Sequence, residues 1–273
     1  STVNDGDVGS NTLAATISYT AVNDAPVATI TPASYANTEQ VSLNLKNNGL
    51  SISDVDAGSG SMTVTLAVTE GTLTVTAGTS GALVTNSGTS SVTITGTVAQ
   101  VNALLNTNAT SAVSYVDSTD TPSATSTLSL TVHDNGNTGT GGDLVSTATS
   151  TINITAVNDA PALTSTPVSL ANGTEDTAYT FTASQLLQGF SDIEGDSLSV
   201  VNPTTSNGSL TDNQDGTYSF QPNANFNGVV TLSYGVSDGT DITNTSTTFN
   251  IAAVNDAPVA GSTSVSLANG TED

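Results

Sequence analysis

Short stretches in which apolar and polar residues alternate run along the whole chain. Three of them, residues 15–21, 150–156 and 247–253, stand directly before the same string, Val-Asn-Asp-Ala-Pro. Alternation with a period of two predicts a strand with one buried face. The proline that follows cannot donate a ladder hydrogen bond. Each of the three strands is therefore predicted to close a repeating unit.

Further alternating stretches lie between these markers, separated by clusters of Gly, Asn, Asp and Ser. They are residues 62–68, 72–77, 91–95 and 125–132 in the first interval, and 177–182, 198–201, 216–221 and 229–236 in the second. Residues 98–105 and 184–187 are predicted to form one or two helical turns at most. Many short strands separated by turns predict an all-β fold of tandem antiparallel β-sandwiches, with Greek-key connections as in immunoglobulin domains.

Two repeated strings share one spacing along the chain. Val-Asn-Asp-Ala-Pro begins at Val22, Val157 and Val254, and Ser-Leu-Ala-Asn-Gly-Thr-Glu-Asp begins at Ser169 and Ser266; the last two copies of each string are 97 residues apart. A shared period indicates a duplicated unit. The predicted domains are residues 1–24 (C-terminal strands of a preceding repeat), 25–158 (a longer sandwich with a mid-domain insertion), 159–255 (a second sandwich) and 256–273 (the first strand of a following repeat).

The charge is one-sided and unevenly distributed. The chain has 24 Asp and Glu residues against a single Lys and no Arg, a net charge of −23, yet only 9% of its residues are charged. This balance excludes a nucleic-acid partner, which requires basic side chains. The absence of Cys excludes disulfides and thiolate zinc sites, and no apolar run is long enough for membrane insertion. Clustered carboxylates without basic neighbours need a counter-charge, and oxygen ligands favour Ca²⁺.

Four kinds of acidic position recur in the same order in the repeats. They are a Thr-Glu, an Asp-x-Asp-like group, a Val-x-Asp and the Asn-Asp of the linker. Their members are Glu39, Glu175 and Glu272; Asp54 with Asp56, and Asp192 with Glu194 and Asp196; Asp5, Asp134 and Asp238; Asn23-Asp24, Asn158-Asp159 and Asn255-Asp256. Any one motif is explained equally well by turn formation, whereas the recurrence of the whole set favours a Ca²⁺ site.

This combination of motifs resembles the cadherin-like tandem repeats of giant bacterial adhesins secreted by type I systems, the RTX-type adhesins. The resemblance covers essentially the whole chain. It implies cadherin-like sandwiches in an extended array, with Ca²⁺ bound between successive domains. It also implies a secreted or bacterial cell-surface protein in which this segment is a structural spacer in adhesion and biofilm formation.

The resemblance assigns the acidic residues to three junctions. The junction between the two long repeats would use Glu39, Asn158, Asp159, Asp192, Glu194, Asp196 and Asp238. The upstream junction would use Asn23, Asp24, Asp54, Asp56 and Asp134, and the downstream one Glu175, Asn255 and Asp256. The Asp-Arg-Glu motif of animal cadherins has no clear counterpart, which leaves the number of ions per junction open.

An enzymatic role is not predicted. The only imidazole, His133, stands at an expected strand end, and the paired carboxylates recur at junctions where an active site would occur once. The remaining acidic residues are predicted to serve turns and loops. Asp212 and Asp215 are expected in a hairpin turn, and Asp117, Asp120, Asp143 and Asp241 in solvated loops.

Two other functions stay open at this point. A carbohydrate-binding module would bind host or biofilm glycans, but the chain has no Trp, and Tyr218, Phe220, Phe226 and Tyr234 are predicted to pack in the core. A polymerising filament subunit would complete its terminal fragments with those of neighbouring copies. The expected partners are the neighbouring repeats of the same chain, with glycans or other adhesin copies as further candidates.

Overall fold

The computed structural model describes residues 2–3, 11–12, 15–258, 261, 269–270 and 272. They divide into two compact units, Ser1–Val157 (unit 1) and Asn158–Asp273 (unit 2). Asp5 and most of the repeated string that begins at Ser266 lie outside the described residues, as does much of the segment predicted to end a preceding repeat.

The regular secondary structure of the described part of unit 1 consists mainly of strands. They are β1 (Thr2–Val3), β2 (Asn11–Thr12), β3 (Val27–Ile30), β4 (Ser34–Thr38), β5 (Leu43–Asn44), β6 (Leu50–Ser53), β7 (Met62–Val68), β8 (Thr72–Thr76), β9 (Leu83–Thr85), β10 (Ser91–Gly96), β11 (Ala112–Val116), β12 (Thr125–His133) and β13 (Val145–Thr155). A six-stranded sheet has the order β4-β13-β12-β7-β10-β9, a three-stranded sheet the order β5-β11-β8, and β3 pairs with β6. The β1–β2 pair is separate.

In the described part of unit 1, helical structure is confined to one segment between β10 and β11. Helix α1 (Val98–Asn102) runs directly into a π-helical turn, Ala103–Thr107. A capping box begins α1, because the Thr97 side chain accepts from the Gln100 backbone and the Gln100 side chain from the Thr97 backbone. In the described part of unit 2 there is no counterpart of β9, β10 and this helical segment, and these elements account for most of the greater length of unit 1.

Unit 2 has the same arrangement in a shorter form. Its elements are β14 (Ala162–Leu163), β15 (Gly173–Thr174), β16 (Tyr179–Thr182), α2 (Ala183–Leu186), β17 (Phe190–Ser191), β18 (Ser199–Thr205), β19 (Gly208–Asp212), β20 (Thr217–Pro222), β21 (Gly228–Ser237) and β22 (Ile242–Ala252). Four strands pair in the order β15-β22-β21-β18, three in the order β16-β20-β19, and β14 pairs with β17.

Each unit has its own apolar core, formed by the inward residues of the alternating strands. In unit 1 every second residue of β7 is buried, from Met62 to Val68. In unit 2 a group of aromatic rings fills the centre, where Phe220 lies edge-on to Phe249 with 5.3 Å between ring centroids. The period of two in the sequence therefore reports the buried face of each sheet correctly.

The fold is all-β, as predicted, and most predicted strands are present. Residues 15–21 are the exception, because they form no strand. A strand needs a hydrogen-bonded neighbour along its length, whereas among the described residues this segment has a single backbone–backbone bond, from the Thr140 N–H to the Ala21 carbonyl, so its alternating pattern alone does not make it a strand. Among the described residues, no helix has the length and apolar character needed to cross a membrane.

Candidate metal site

The chain enters unit 1 beside five of the predicted ligands, which we call the leading cluster of unit 1: Asn23, Asp24, Asp54, Asp56 and Asp134. The Asp56 side chain accepts from the Asp24 backbone N–H at 3.0 Å. Asp54 Oδ1 accepts from the backbone N–H of Asp56 at 3.1 Å and of Ala57 at 2.9 Å, a turn that follows directly on β6. These bonds hold the linker against the Asp-x-Asp group.

Asn23 joins the linker to the Val-x-Asp position. Its amide Nδ2 donates to Asp134 Oδ2 at 2.5 Å, and the other oxygen of Asp134 accepts from the backbone N–H groups of Gly136 and Leu144, both at 2.8 Å. Asn23 is 5% exposed and Asp134 is fully buried. A buried side-chain hydrogen bond thus joins two residues that are 111 positions apart in the sequence.

The two kinds of carboxylate in this cluster have opposite pKa shifts. Burial raises the pKa of Asp54, and the neighbouring carboxylate of Asp56 adds to the increase. Burial also acts to raise the pKa of Asp134, but hydrogen bonds from Leu144, Gly136 and Asn23 outweigh it and hold that pKa below its ordinary value. Both oxygens of Asp134 therefore accept hydrogen bonds, whereas Asp54 Oδ2 has no hydrogen-bond donor.

Unit 2 repeats this arrangement in its own leading cluster, which consists of Asn158, Asp159, Asp192, Glu194, Asp196 and Asp238. Asn158 Nδ2 donates to Asp238 Oδ2 at 3.0 Å, as Asn23 does to Asp134. Asp192 Oδ1 accepts from the backbone N–H groups of Glu194 and Asp196, each at 3.1 Å. The predicted equivalence of the two sets of motifs is thus visible in their hydrogen bonds.

The pKa shifts follow the same division in unit 2. The Asn158 amide and the backbone N–H groups of Asp241 and Thr240 hold the pKa of Asp238 below its ordinary value. Burial raises the pKa of Glu194, and the carboxylates of Asp192 and Asp159 raise it further. The leading cluster of unit 2 therefore places like charges close together without a cation between them.

One Glu in each unit lies where the chain leaves it, and we call Glu39 and Glu175 the trailing carboxylates. Glu39 follows β4, which runs parallel to β13, and Glu39 Oε1 accepts from the Val157 N–H at 2.8 Å. Glu175 follows β15 beside β22 and accepts from the Val254 N–H at 2.5 Å. The parallel pairing therefore explains why each Thr-Glu meets a linker more than 75 residues later.

Nine buried side-chain polar atoms of the described residues have no hydrogen-bond partner, and eight of them are oxygens of predicted ligands. They are Asn23 Oδ1, Glu39 Oε2, Asp54 Oδ2, Asp56 Oδ1, Asp159 Oδ2, Asp192 Oδ2 and both carboxylate oxygens of Glu194. A buried oxygen without a donor is costly, and a hard cation with oxygen ligands removes that cost. The donor set, carboxylate and amide oxygens without Cys, fits Ca²⁺.

No basic side chain supplies this counter-charge. The single Lys46 donates from Nζ to the backbone oxygens of Asn108 and Ser111, where the helical segment ends. Within the described ranges, no group of three or more His, Cys, Asp and Glu side chains is gathered as a ready metal centre. Glu39 belongs to unit 1 and the leading cluster around Asn158 to unit 2, so their convergence on one ion stays a prediction.

Of the acidic residues that the sequence assigned to solvated loops, Asp117 has other surroundings, whereas Asp143 and Asp241 lie in exposed loops and also make side-chain contacts. That prediction is wrong for Asp117, which is fully buried; its side chain accepts from Thr119 and Tyr115, and its backbone oxygen from the N–H of Gln40 beside Glu39. Asp241 is exposed but accepts from Asn158 Nδ2 at 2.9 Å. Asp143 accepts from the Asn135 N–H at 2.9 Å and contacts His133 at 2.8 Å.

No sequence signal marked the burial of Asp117 or the bond of Asp241 to Asn158, 83 positions away, because both depend on the packing of distant segments. The prediction for Asp212 and Asp215 is correct, since both lie in the hairpin between β19 and β20 and accept from backbone N–H groups of that turn. Asn255 and Asp256 are exposed at the end of the continuously described residues. Their predicted role at a third junction stays untested.

Aromatic side chains offer little surface for a sugar ring. The predicted core residues Tyr218, Phe220 and Tyr234 are buried, and Phe226 packs against the same core. The chain has six Tyr and five Phe, all within residues 15–258, and only Tyr19 is strongly exposed, at 88%. A carbohydrate site built on aromatic platforms is therefore not favoured in either unit.

Comparison with known proteins identifies one part of the chain. The sequence profile of the family described as "Cadherin-like domain" matches residues 157–252. No curated protein matches the chain.

Three solved structures with low sequence identity illustrate the structural likeness. An endo-fucoidan hydrolase of glycoside hydrolase family 107 is 21% identical, with 85% of this chain and 29% of that chain covered and a TM-score of 0.27. The protocadherin GammaB4 extracellular domain is 12% identical (85% and 34% covered, TM-score 0.42), and Drosophila N-cadherin EC1-4 is 13% identical (85% and 50% covered, TM-score 0.38).

This chain thus spans between 29% and 34% of the length of the first two of these proteins. With TM-scores below 0.5, none of the three likenesses bears on function. The family profile and the observed strands together show that the chain contains, at residues 157–252, a segment similar to the cadherin-like domain, with an all-β sandwich fold of that type.

Proposed function

We propose that this chain is a spacer segment of a secreted or cell-surface bacterial adhesin, in which Ca²⁺ bound at the linkers stiffens a row of cadherin-like sandwiches. The observation that carries the proposal is the set of buried oxygens without donors in the two leading clusters and at Glu39. Basic residues are nearly absent from the sequence, which has one Lys against 24 acidic residues. A divalent ion is the counter-charge that the chain itself does not supply.

The ligands have distinct parts in this proposal. Asp54 and Asp56 in unit 1, and Asp159, Asp192 and Glu194 in unit 2, would present their free oxygens to the ion. Asp134 and Asp238 are engaged by N–H donors, so they would chiefly hold the linker Asn side chains in position and add negative charge nearby. Glu39 would supply the free oxygen of a carboxylate whose other oxygen binds the linker backbone, and Glu175 would supply the oxygen that accepts from Asn227 Nδ2 at 3.3 Å.

Ca²⁺ would act on the mechanics of the protein and on no covalent chemistry. By neutralising the carboxylates it would remove the repulsion that each leading cluster carries, and by ligating both the linker and its neighbouring loops it would restrict rotation at that linker. The neighbouring repeats of the same chain are therefore the primary partners. The role is non-enzymatic, because the segment serves to hold a distal binding module away from the cell.

The test is thermal unfolding and small-angle scattering of the chain with Ca²⁺ or with EGTA. Ca²⁺ at about 100 times its Kd stabilises the folded state by about 2.7 kcal/mol, or roughly 10 °C in Tm for a domain the size of unit 2. The maximum dimension is expected to be larger and better defined with Ca²⁺. Matched ionic strength in NaCl separates ion binding from simple screening, and Mg²⁺, with its demand for octahedral geometry, serves as the second control.

Equal Tm values and equal dimensions with Ca²⁺ and with EGTA would exclude the proposed function. A Tm increase of the same size with NaCl alone would show that screening of the net charge, and not a bound ion, stabilises the units.

A further inference from the structure

Unit 1 has a glycine-rich loop, residues 135–143, that unit 2 lacks. The loop connects β12 to β13 and contains four Gly residues, whereas in unit 2 only Gly239, Thr240 and Asp241 separate Asp238 from β22. The spacing from the Val-x-Asp position to the next linker Asn is accordingly 24 residues in unit 1 and 17 in unit 2. The extra residues lie beside the segment by which the chain enters unit 1, residues 21–23.

Main-chain hydrogen bonds join the loop to this incoming segment. The Asn23 N–H donates to the Thr140 carbonyl at 3.1 Å, and the Thr140 N–H donates to the Ala21 carbonyl at 2.9 Å. Val22 and Thr140 thus form an isolated parallel bridge. The Asn23 side chain adds a bond from Nδ2 to the Gly142 carbonyl at 2.8 Å. None of these bonds involves a carboxylate.

Gly139 makes the close approach of the two backbones possible. A Cβ at this position would lie 2.5 Å from the Asn23 nitrogen and 2.6 Å from the Val22 carbonyl carbon, and backbone atoms cannot move aside as a side chain can. Gly142 has a positive φ like Gly139, but a Cβ there would have no atom within 4 Å. The same loop therefore offers one glycine that the contact requires and one that only the local conformation requires.

The linker that enters unit 2 is held differently. Asn158 is bound through its side chain, to the carboxylates of Asp238 and Asp241 and to the Asp159 carbonyl. Among the described residues, no backbone–backbone hydrogen bond joins Asn158 to residues 239–241. Its attachment therefore depends on charged groups, whereas the linker into unit 1 has neutral main-chain bonds in addition to its contacts with the carboxylates of Asp134 and Asp56.

We propose that residues 139–142 are a latch that fixes the incoming segment 21–23 to unit 1 without a metal ion. The three bonds need neither a cation nor a particular protonation state, because every donor is an amide N–H group and every acceptor is a backbone carbonyl. Both linkers contact acidic side chains, and the one into unit 1 has these main-chain bonds in addition. The latch does not require that Ca²⁺ binds, so it goes beyond the proposed function.

The experiment is amide hydrogen exchange, followed by NMR, on the full chain in EGTA. The Asn23 and Thr140 amides are expected to exchange at least about tenfold more slowly than an unprotected amide, and adding Ca²⁺ is expected to leave the Thr140 rate within about twofold. In Gly139→Ala both amides are expected to exchange at least about tenfold faster than in the wild type, whereas Gly142→Ala, which adds backbone strain at a positive φ but no clash with the incoming segment, is expected to have a clearly smaller effect. The β12–β13 ladder amides report in every sample that unit 1 is folded.

Fast exchange of Asn23 and Thr140 in the wild type with EGTA would overturn the latch, as would equal effects of Gly139→Ala and Gly142→Ala. If Gly139→Ala also loses the protection of the β12–β13 ladder, the wild-type rates in EGTA decide the question. If the Tm does not change with Ca²⁺ but the Thr140 amide is protected, the latch is retained and the proposed function is excluded.

Discussion

At the scale of single residues, the acidic positions of this chain fall into two groups that cannot be distinguished in the sequence. Asp134 and Asp238 are surrounded by N–H donors, which lower their pKa values. Asp54 and Glu194 have raised pKa values, first because of burial and then because of neighbouring carboxylates. The first group is stable without an ion, and the second is where an ion has most to contribute.

Asp54→Asn tests the second group, since it removes a charge but keeps the shape. The amide oxygen can still accept from the Asp56 and Ala57 N–H groups, and the new NH₂ can donate to the orphaned Asp56 oxygen. In EGTA at pH 7 the variant is expected to melt at or a few degrees above the wild type. With Ca²⁺ its stabilisation is expected to fall to half or less. Differential scanning calorimetry measures both.

The pH dependence of this difference has a definite sign. Because the folded-state pKa of Asp54 is raised, its favourable contribution is complete below the ordinary Asp pKa of about 3.9 and is lost as pH rises through the raised value. The advantage of Asp54→Asn in EGTA should therefore shrink on acidification towards pH 4. Asp212→Asn, in the exposed β19–β20 hairpin, is the matched control and should change neither melt. A variant that is less stable in EGTA yet fully stabilised by Ca²⁺ would contradict the assignment.

Asp238→Asn tests the first group and is expected to behave in the opposite way. The lowered pKa of Asp238 means that its stabilisation is present above about pH 3.9 and is lost as pH falls through the folded-state value. In EGTA the variant should be less stable than the wild type at pH 7, and the two should converge near pH 3. Urea unfolding at both pH values measures the difference. A gap that persists unchanged at pH 3 would mean that packing, and not charge, explains the loss.

At the scale of elements, the extra structure of unit 1 supports the strand that leads into the Asp-x-Asp group. Strand β6 pairs with β3 on one side only, and Asn102 at the end of α1 takes the other side. Asn102 Oδ1 accepts from the Ile52 N–H at 3.0 Å, and Nδ2 donates to the Ile52 carbonyl at 2.7 Å. The Asn102 amide thus makes the two backbone hydrogen bonds that a neighbouring strand would make to Ile52, which lies two residues before Asp54.

Asn102→Ala is expected to lower the free energy of unfolding of unit 1 by about 2 kcal/mol, because it leaves a partly buried N–H and C=O unpaired. The Tm of unit 1 should fall by roughly 4–8 °C. Asn106→Ala is the matched control, since Asn106 donates only one bond to this strand, to the Leu50 carbonyl at 3.0 Å, and it should cost about half as much. Urea unfolding gives both values, and equal losses would show that Asn102 has no special part.

At the scale of the whole molecule, residues 15–21, which precede β3, carry the pattern of a terminal strand but are not part of a sheet. Ile17 and Tyr19 occupy the positions, relative to the repeated pentapeptide, of Ile152 and Ile154 in unit 1. The latter pair is 0% and 8% exposed, and the former 72% and 88%. This contrast supports the proposal that residues 15–21 end a preceding repeat.

Ile17→Ala and Ile152→Ala are therefore expected to differ sharply in this chain. The first should change the free energy of unfolding by less than about 0.5 kcal/mol, as is usual for an exposed side chain, and the second should lower it by about 2–5 kcal/mol. In a longer chain that includes the proposed preceding repeat, Ile17→Ala should become as costly as Ile152→Ala. Urea unfolding of both lengths is the measurement. A large loss for Ile17→Ala in the present chain would place this residue in a core of its own.

The sequence by itself determined the repeated units, the all-β fold, most strand positions and the acidic motifs, because period-two alternation, turn residues and repeated strings are local signals. Only the tertiary structure decided which carboxylates lack donors, that Asp117 is buried, that Asp241 binds the linker Asn, and that a glycine-rich loop binds the incoming chain. These facts depend on hydrogen bonds such as Asn23 to Asp134, between residues 111 positions apart. A local pattern specifies the face of a strand, but the partner of a side chain is fixed only when distant segments pack together.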